Sequence, residues 1–304
     1  MITLAEIEQL AIEEGVEQPA AIAALARPGY RLVPTGQQAG IGGSKLGGVP
    51  DLPAGAQWPL FRWADVPLPM LFLGQIALEE LVGGDWFAEA GGLLSFFYGA
   101  HPQHGLTDNM RAAHVLHSAA GVEVRPASVA NPAGVQPVLS ERAVEPRAVL
   151  TLPDDDLPMV TVLGLDWDLA GDDQAARDRM YERFMAYMRL RDRVAAAQYP
   201  QAAEGRSAPE HLFLGWPRSE QQSALIDFAM SQAELEDWYS RMPDDEVDEA
   251  IVAAAQRWQL LLQLDHDDRL ETDFGDGGGL YVGAPAEDAA RGDMRRVDGA
   301  IQSG

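Results

Sequence analysis

LPMLFLGQI (residues 68–76) and RWQLLLQLD (residues 257–265) each set one glutamine, Gln75 or Gln263, inside an aliphatic run. Runs this short and apolar read as strands buried on both faces. What surrounds them also recurs. GGLLSFFYGA (91–100) follows the first run and GGGLYVGAPA (277–286) the second, while a Gly-Pro segment precedes each, KLGGVPDLP (45–53) and HLFLGWPRSEQ (211–221). Order and residue type repeat together, which predicts an α+β chain built from two related halves, approximately residues 1–165 and 166–304.

Working outward, Thr3 and Glu6 form a capping-box pattern, predicting a helix that ends near Gly15. PAAIAALARPG (19–29) reads as a second short helix that starts on Pro19 and stops at Pro28-Gly29, followed by YRLVP (30–34) as a strand. Residues 101–165 read as shorter strands broken by prolines. Asp172 or Asp173 opens the longest helix, in which Met180, Phe184 and Met188 are spaced by four on one face. A further helix, DDEVDEAIVAAAQRW (244–258), leads into the second glutamine strand.

The chain of 304 residues is long enough to bury a large core, and we read it as one domain spanning 1–304. No cysteine is present, which excludes disulfides, thiolate metal sites and a cysteine nucleophile. The formal charge of −25 is uneven: 15 acids against 8 bases in residues 1–150, and 32 against 14 in residues 151–304. Such a surface repels nucleic acid and anionic membrane and favours a basic protein partner, if the acidity does more than keep the chain soluble. The acidic N-terminus lacks a signal-peptide pattern and no apolar run approaches the ~20 residues of a membrane span, so a cytoplasmic protein is expected.

Lys45 is the one lysine beside 21 arginines, and it sits between two Gly-Gly pairs. A nucleotide P-loop needs the order G-K-[ST]; here Ser44 precedes Lys45, and Pro50 and Pro53 forbid the helix that should follow. The segment is instead a rigid turn system, in which Lys45 either satisfies carboxylates and carbonyls or faces a ligand. The structural role is the favoured one. His101, His104, His114 and His117 are weak candidates for a metal, because AHVLHS reads as a strand that turns His114 and His117 to opposite faces. The acidic run LDHDDRLETDFGDGGGL (264–280) fails the EF-hand pattern, with Leu270 where glycine is required. It reads as a solvated turn. No G-x-S-x-G elbow and no singled-out carboxylate pair appear, so neither catalysis nor a cofactor is called for.

Taken in order, SKLGGVPDLP with Trp58-Pro59, PLPMLFLGQIALEEL, GGLLSFFYG, HLFLGWPRSEQ, WQLLLQLDHDD and FGDGGGLYV resemble the YwqG-like bacterial proteins, a family of unknown function, over nearly the whole chain. The family signature resembles Ser-Lys-x-Gly-Gly-x-Pro, which accounts for Lys45. The match places Gly47, Gly48, Pro50, Asp51, Gln75, Gly215, Pro217, Gln221, Gln263, Asp265, Asp267, Gly275 and Asp276 on motif positions. Phe274 departs from it, standing where the family tends to carry tryptophan. The resemblance implies an α+β fold with a mainly antiparallel sheet, flanking helices and an internal duplication; it implies no activity. Some relatives resemble neighbours of toxin modules. The leading expectation is therefore a non-enzymatic interaction module, an immunity or accessory factor. The alternative is an enzyme or small-ligand binder whose pocket, between the halves, gathers Lys45, Asp51, Gln75, Gln221, Gln263, Asp265, Asp267 and Asp276.

Overall fold

A computed structural model describes residues 1–82, 91–101, 105–106, 112–127, 139–154, 157, 173–199, 210–232, 249–271 and 274–303. Helices α1 (Leu4–Glu13) and α2 (Pro19–Ala24) come first, then strands β1 (Arg27–Pro34), β2 (Lys45–Leu46) and β3 (Asp51–Pro53). Strands β4 (Leu60–Trp63) and β5 (Val66–Pro69) form a hairpin before β6 (Leu71–Ala77), and β7 (Leu93–Tyr98) follows. Next are β8 (Ala100–His101), β9 (Gly105–Leu106), β10 (Ala113–Ser118), β11 (Val124–Pro126) and β12 (Arg142–Thr151). The remainder is α3 (Gln174–Gln198), β13 (Leu212–Leu214), α4 (Ala224–Gln232), α5 (Glu249–Ala255), β14 (Trp258–Asp265), β15 (Gly279–Pro285), α6 (Ala286–Ala290) and β16 (Asp298–Gln302).

Among the described residues ten strands form one antiparallel sheet in the order β10-β7-β6-β2-β12-β1-β13-β14-β15-β16. Both glutamine runs are inner strands with nearly every residue buried, as their composition demands. Side-chain alternation divides the core. Phe213, Leu280 and Val282 face one cluster with Leu73, Phe96 and Phe97; Leu212, Tyr281 and Trp216 face the other, among Tyr187 of α3 and Phe228 of α4.

Read outward from the central β12–β1 pair, β2-β6-β7-β10 lies on one side and β13-β14-β15-β16 on the other. The central strands are crossed. β1, from the N-terminal end, pairs with β13, while β12 pairs with β2. Only Arg142 and Ala143 of β12 pair with β2, so Pro146, which has no N–H to give, sits where that side of β12 has no neighbouring strand among the described residues.

One local expectation changes. Pro28 and Gly29 do not stop a helix: α2 ends at Ala24 and both residues belong to β1. Gly29 is there because a side chain would strike the Leu214 carbonyl across the ladder, at 2.8 Å. The long helix is capped by Asp173, whose carboxylate accepts from the N–H groups of Ala175 and Ala176. The capping box of Thr3 and Glu6 is present. No helix is long and apolar enough to cross a membrane among the described residues.

Candidate functional site

The glycine-rich segment is a closed hydrogen-bonded unit around Gln75. Gln75 stands opposite Lys45 in the β2–β6 ladder. Its Oε1 accepts from the Asp51 N–H at 2.9 Å; its Nε2 donates to Asp51 Oδ2 at 2.7 Å and to the Gly43 carbonyl at 2.9 Å. Asp51 Oδ2 also accepts from the Gly42 N–H. The Lys45 ammonium lies 3.3 Å from Asp51 Oδ2 and 3.6 Å from Glu141 Oε2, with Lys45 and Asp51 both buried. Asp51 Oδ1 has no hydrogen-bond partner among the described residues. Gly47 and Gly48, at φ 64° and 75°, carry the chain out of β2 in a conformation that side chains resist. Their N–H groups go to the carbonyls of Leu73 and Leu139. Trp58 anchors the far end, donating to the Met70 carbonyl and packing edge-on against Phe97.

A second unit surrounds Gln263. Its Oε1 accepts from the Arg218 N–H at 2.9 Å, and its Nε2 donates to Asp265 Oδ1 at 2.8 Å. Tyr281 Oη donates to the Arg218 carbonyl. Leu214 and Gly215 lead into this loop at φ 60° and 81°. Asp265 takes the Glu210 N–H on its other oxygen. The Arg218 guanidinium bridges Glu210 and Asp192, each at 3.0 Å. Burial raises the Glu210 pKa against the pull of Arg218.

Asp267 belongs to a separate buried pair. His211 Nδ1 accepts from the Asp265 N–H, so its proton sits on Nε2 and faces Asp267 Oδ2 at 3.3 Å. Arg269 holds Asp267 by a two-point fork. Both histidine nitrogens are engaged within the fold. Gln221 ties the chain to Gln302 and Ser303. Asp276 is exposed at φ 43° in the turn between Gly275 and Gly277.

The candidate residues therefore fall into separate groups. Lys45, Asp51 and Gln75 are together; Gln263 and Asp265 are together; Asp267, Gln221 and Asp276 each have other surroundings. Between β2 and β13 stand β12 and β1, three ladder steps or about 14 Å. Reasoning from sequence passed over Glu141, Glu210, His211 and Arg218, although Arg218 lies in a quoted motif. Of the histidines, His114 and His117 are three apart on β10, and His117 bonds the Gly91 carbonyl. His101 lies against Trp63, and His104 falls outside the described residues. Among the described residues no three His, Asp or Glu side chains are grouped to hold a metal.

A partly open cavity of about 40 Å³ lies beside the second unit, lined by Thr151, Arg191, Tyr199, Glu210, Trp216 and Arg218 among others. It has room for a few waters or a small ion. Two larger hollows, about 640 Å³ at α1 and α3 and about 530 Å³ at α5 and β14, are open grooves. No curated protein matches the chain. The buried Lys45 turn, both glutamine strands and most of β16 all fall within residues 44–300, the span matched by the family model described as domain of unknown function (DUF1963), and the chain belongs to that family.

Proposed function

We propose that the chain is a non-catalytic binding protein, of the YwqG-like kind, that engages a basic protein partner through an acidic strip. The observation that carries this reading is that the motif's polar groups are spent on one another. Lys45 faces Asp51 and Glu141, Gln75 holds Asp51, and Gln263 holds Arg218 and Asp265. Such groups build turns rather than bind substrate.

The strip follows from the same contacts. Glu80 takes the Ser44 N–H, Glu141 faces Lys45, and the neighbouring Ser140 donates to Glu271. Exposed Asp268 lies in the turn that carries Glu271. Opposite charge on a partner would steer encounter and set orientation. A bacterial, cytoplasmic immunity or accessory role is the setting this reading favours.

The same reading makes the two halves copies of one unit. In its support, Gln75 and Gln263 each accept from the N–H of the residue after a proline, Asp51 and Arg218. Both preceding turns hold two successive left-handed residues, and both glutamine strands carry a register shift just upstream.

The test is a variant with Glu80, Glu141, Asp268 and Glu271 changed to lysine. The partner captured by the parent protein should be lost by the variant, with circular dichroism showing that the variant is folded, and the parent complex should weaken with salt. Equal capture by both would remove the strip from the mechanism. A second reading, a small-ligand site, is favoured by one observation: Glu210, with its raised pKa, and Arg218 share the cavity wall.

A further inference from the structure

We propose that Arg27 and Trp216 form a receptor for a small oxyanion, a carboxylate or a phosphate. Several arginines among the described residues are spent on carboxylates: Arg191 on Asp154, Arg218 on Glu210 and Asp192, Arg269 on Asp267, Arg296 on Asp288. Arg27 is not. Its guanidinium carbon lies 3.4 Å from the centroid of the Trp216 ring, and no described carboxylate or carbonyl receives a hydrogen bond from it. Half-buried at the start of β1, it is withdrawn from water without a counter-charge, and that burial alone pulls its pKa down to about 10. In a chain with 47 acidic residues, a half-buried guanidinium with an aromatic face beneath it and no described carboxylate at its rim calls for a ligand.

The ring beneath it is fixed from several sides. Trp216 Nε1 donates to the Leu25 carbonyl at 2.8 Å, and its backbone N–H donates to Thr151 Oγ1 at 2.7 Å. It is delivered by the left-handed pair Leu214 and Gly215; for leucine that conformation is unfavourable and persists only where the surroundings impose it. A guanidinium stacked on an indole keeps its donors around its rim. Their fork matches two oxygens of a carboxylate or phosphate. The acid nearest along the adjoining strand end, Asp154, is already held by Arg191 and Ser219 and so does not supply them. The occupant is small, because the indole face is already covered by the guanidinium.

The experiment titrates the full chain with inorganic phosphate and, separately, with acetate, with chloride at matched ionic strength as the control. Binding is read by calorimetry and by tryptophan fluorescence. One of the two anions should give a saturable response above the chloride control, and which one does so names the source. Affinity should fall roughly tenfold or more in Arg27→Gln and in Arg27→Lys, since an ammonium keeps the charge but loses the fork. Should Arg27→Gln fail to fold by circular dichroism, Arg27→Lys carries the comparison. A response to both anions no greater than that to chloride overturns the proposal, and so does undiminished affinity in the folded variants.

Discussion

Lys45 is held by shape as much as by charge. Its compact ammonium reaches Asp51 and Glu141 from a two-residue strand, close to Gly48, which lies against Glu141. A planar guanidinium needs more width and a different donor direction. Lys45→Arg is expected to lower stability by about 1–3 kcal/mol, seen as a lower urea midpoint at unchanged slope. An unchanged midpoint would show that the pair is dispensable to the fold. Asp267 makes a pH-dependent contribution. Burial disfavours its anion, but the His211 and Arg269 hydrogen bonds outweigh burial and hold the carboxyl well below the ordinary range. An unfolded chain takes up this proton near pH 4, where the folded chain still excludes it. The contribution is therefore complete above about pH 4 and is lost as pH falls further toward the folded value. Glu210 and Asp227, raised by burial, act in the opposite sense, so the comparison must be with a variant. Asp267→Asn should be less stable than the parent at pH 7, with the difference shrinking as pH drops from 4 to 2. A difference independent of pH would argue against this assignment.

At the scale of elements, the glycine turns are where sequence and structure meet most directly. A β-carbon on Gly47 would lie 2.6 Å from the Leu139 and Ser140 carbonyl oxygens, which are backbone, whereas one on Gly48 would meet the movable side chain of Glu141. Both positions have positive φ. Gly47→Ala should therefore destabilise by more than Gly48→Ala, each by at least about 1 kcal/mol, with chemical denaturation of the pair as the measure. An inverted order would show that the Glu141 contact, and not the carbonyl wall, limits the turn. Much of this was legible in advance: glycine and proline spacing announces a turn, and an isolated glutamine among leucines announces a bonded amide. The buried partners of these residues were less so. Glu141 reaches Lys45 from 96 positions away and Arg27 meets Trp216 across 189, and no local periodicity encodes such pairings. The reading of Pro28-Gly29 as a helix stop failed for a related reason. The demand for glycine there comes from a distant strand, not from the end of α2.

For the molecule as a whole, the two outer strands of the ten-stranded sheet come together. Gly299 of β16 lies against Tyr98 of β7 and Ala113 of β10; a β-carbon there would be 2.6 Å from the tyrosine ring and 3.0 Å from Ala113. Gly299→Val should cost about 1–3 kcal/mol by forcing this contact apart, measured by thermal or urea unfolding. A neutral substitution would mean that the edges separate freely. The crossed pairing of the central strands carries a further consequence, for synthesis. β1 leaves the ribosome early, yet its neighbours are residues 142–151 and 212–214. At roughly 5–20 residues per second, this apolar segment waits on the order of ten seconds or longer before its second neighbour exists. Until residues 144–151 are made, Tyr30 and Leu32 have no ladder to join. The nascent chain thus passes through an interval in which β1 is a ready partner for any other unpaired strand.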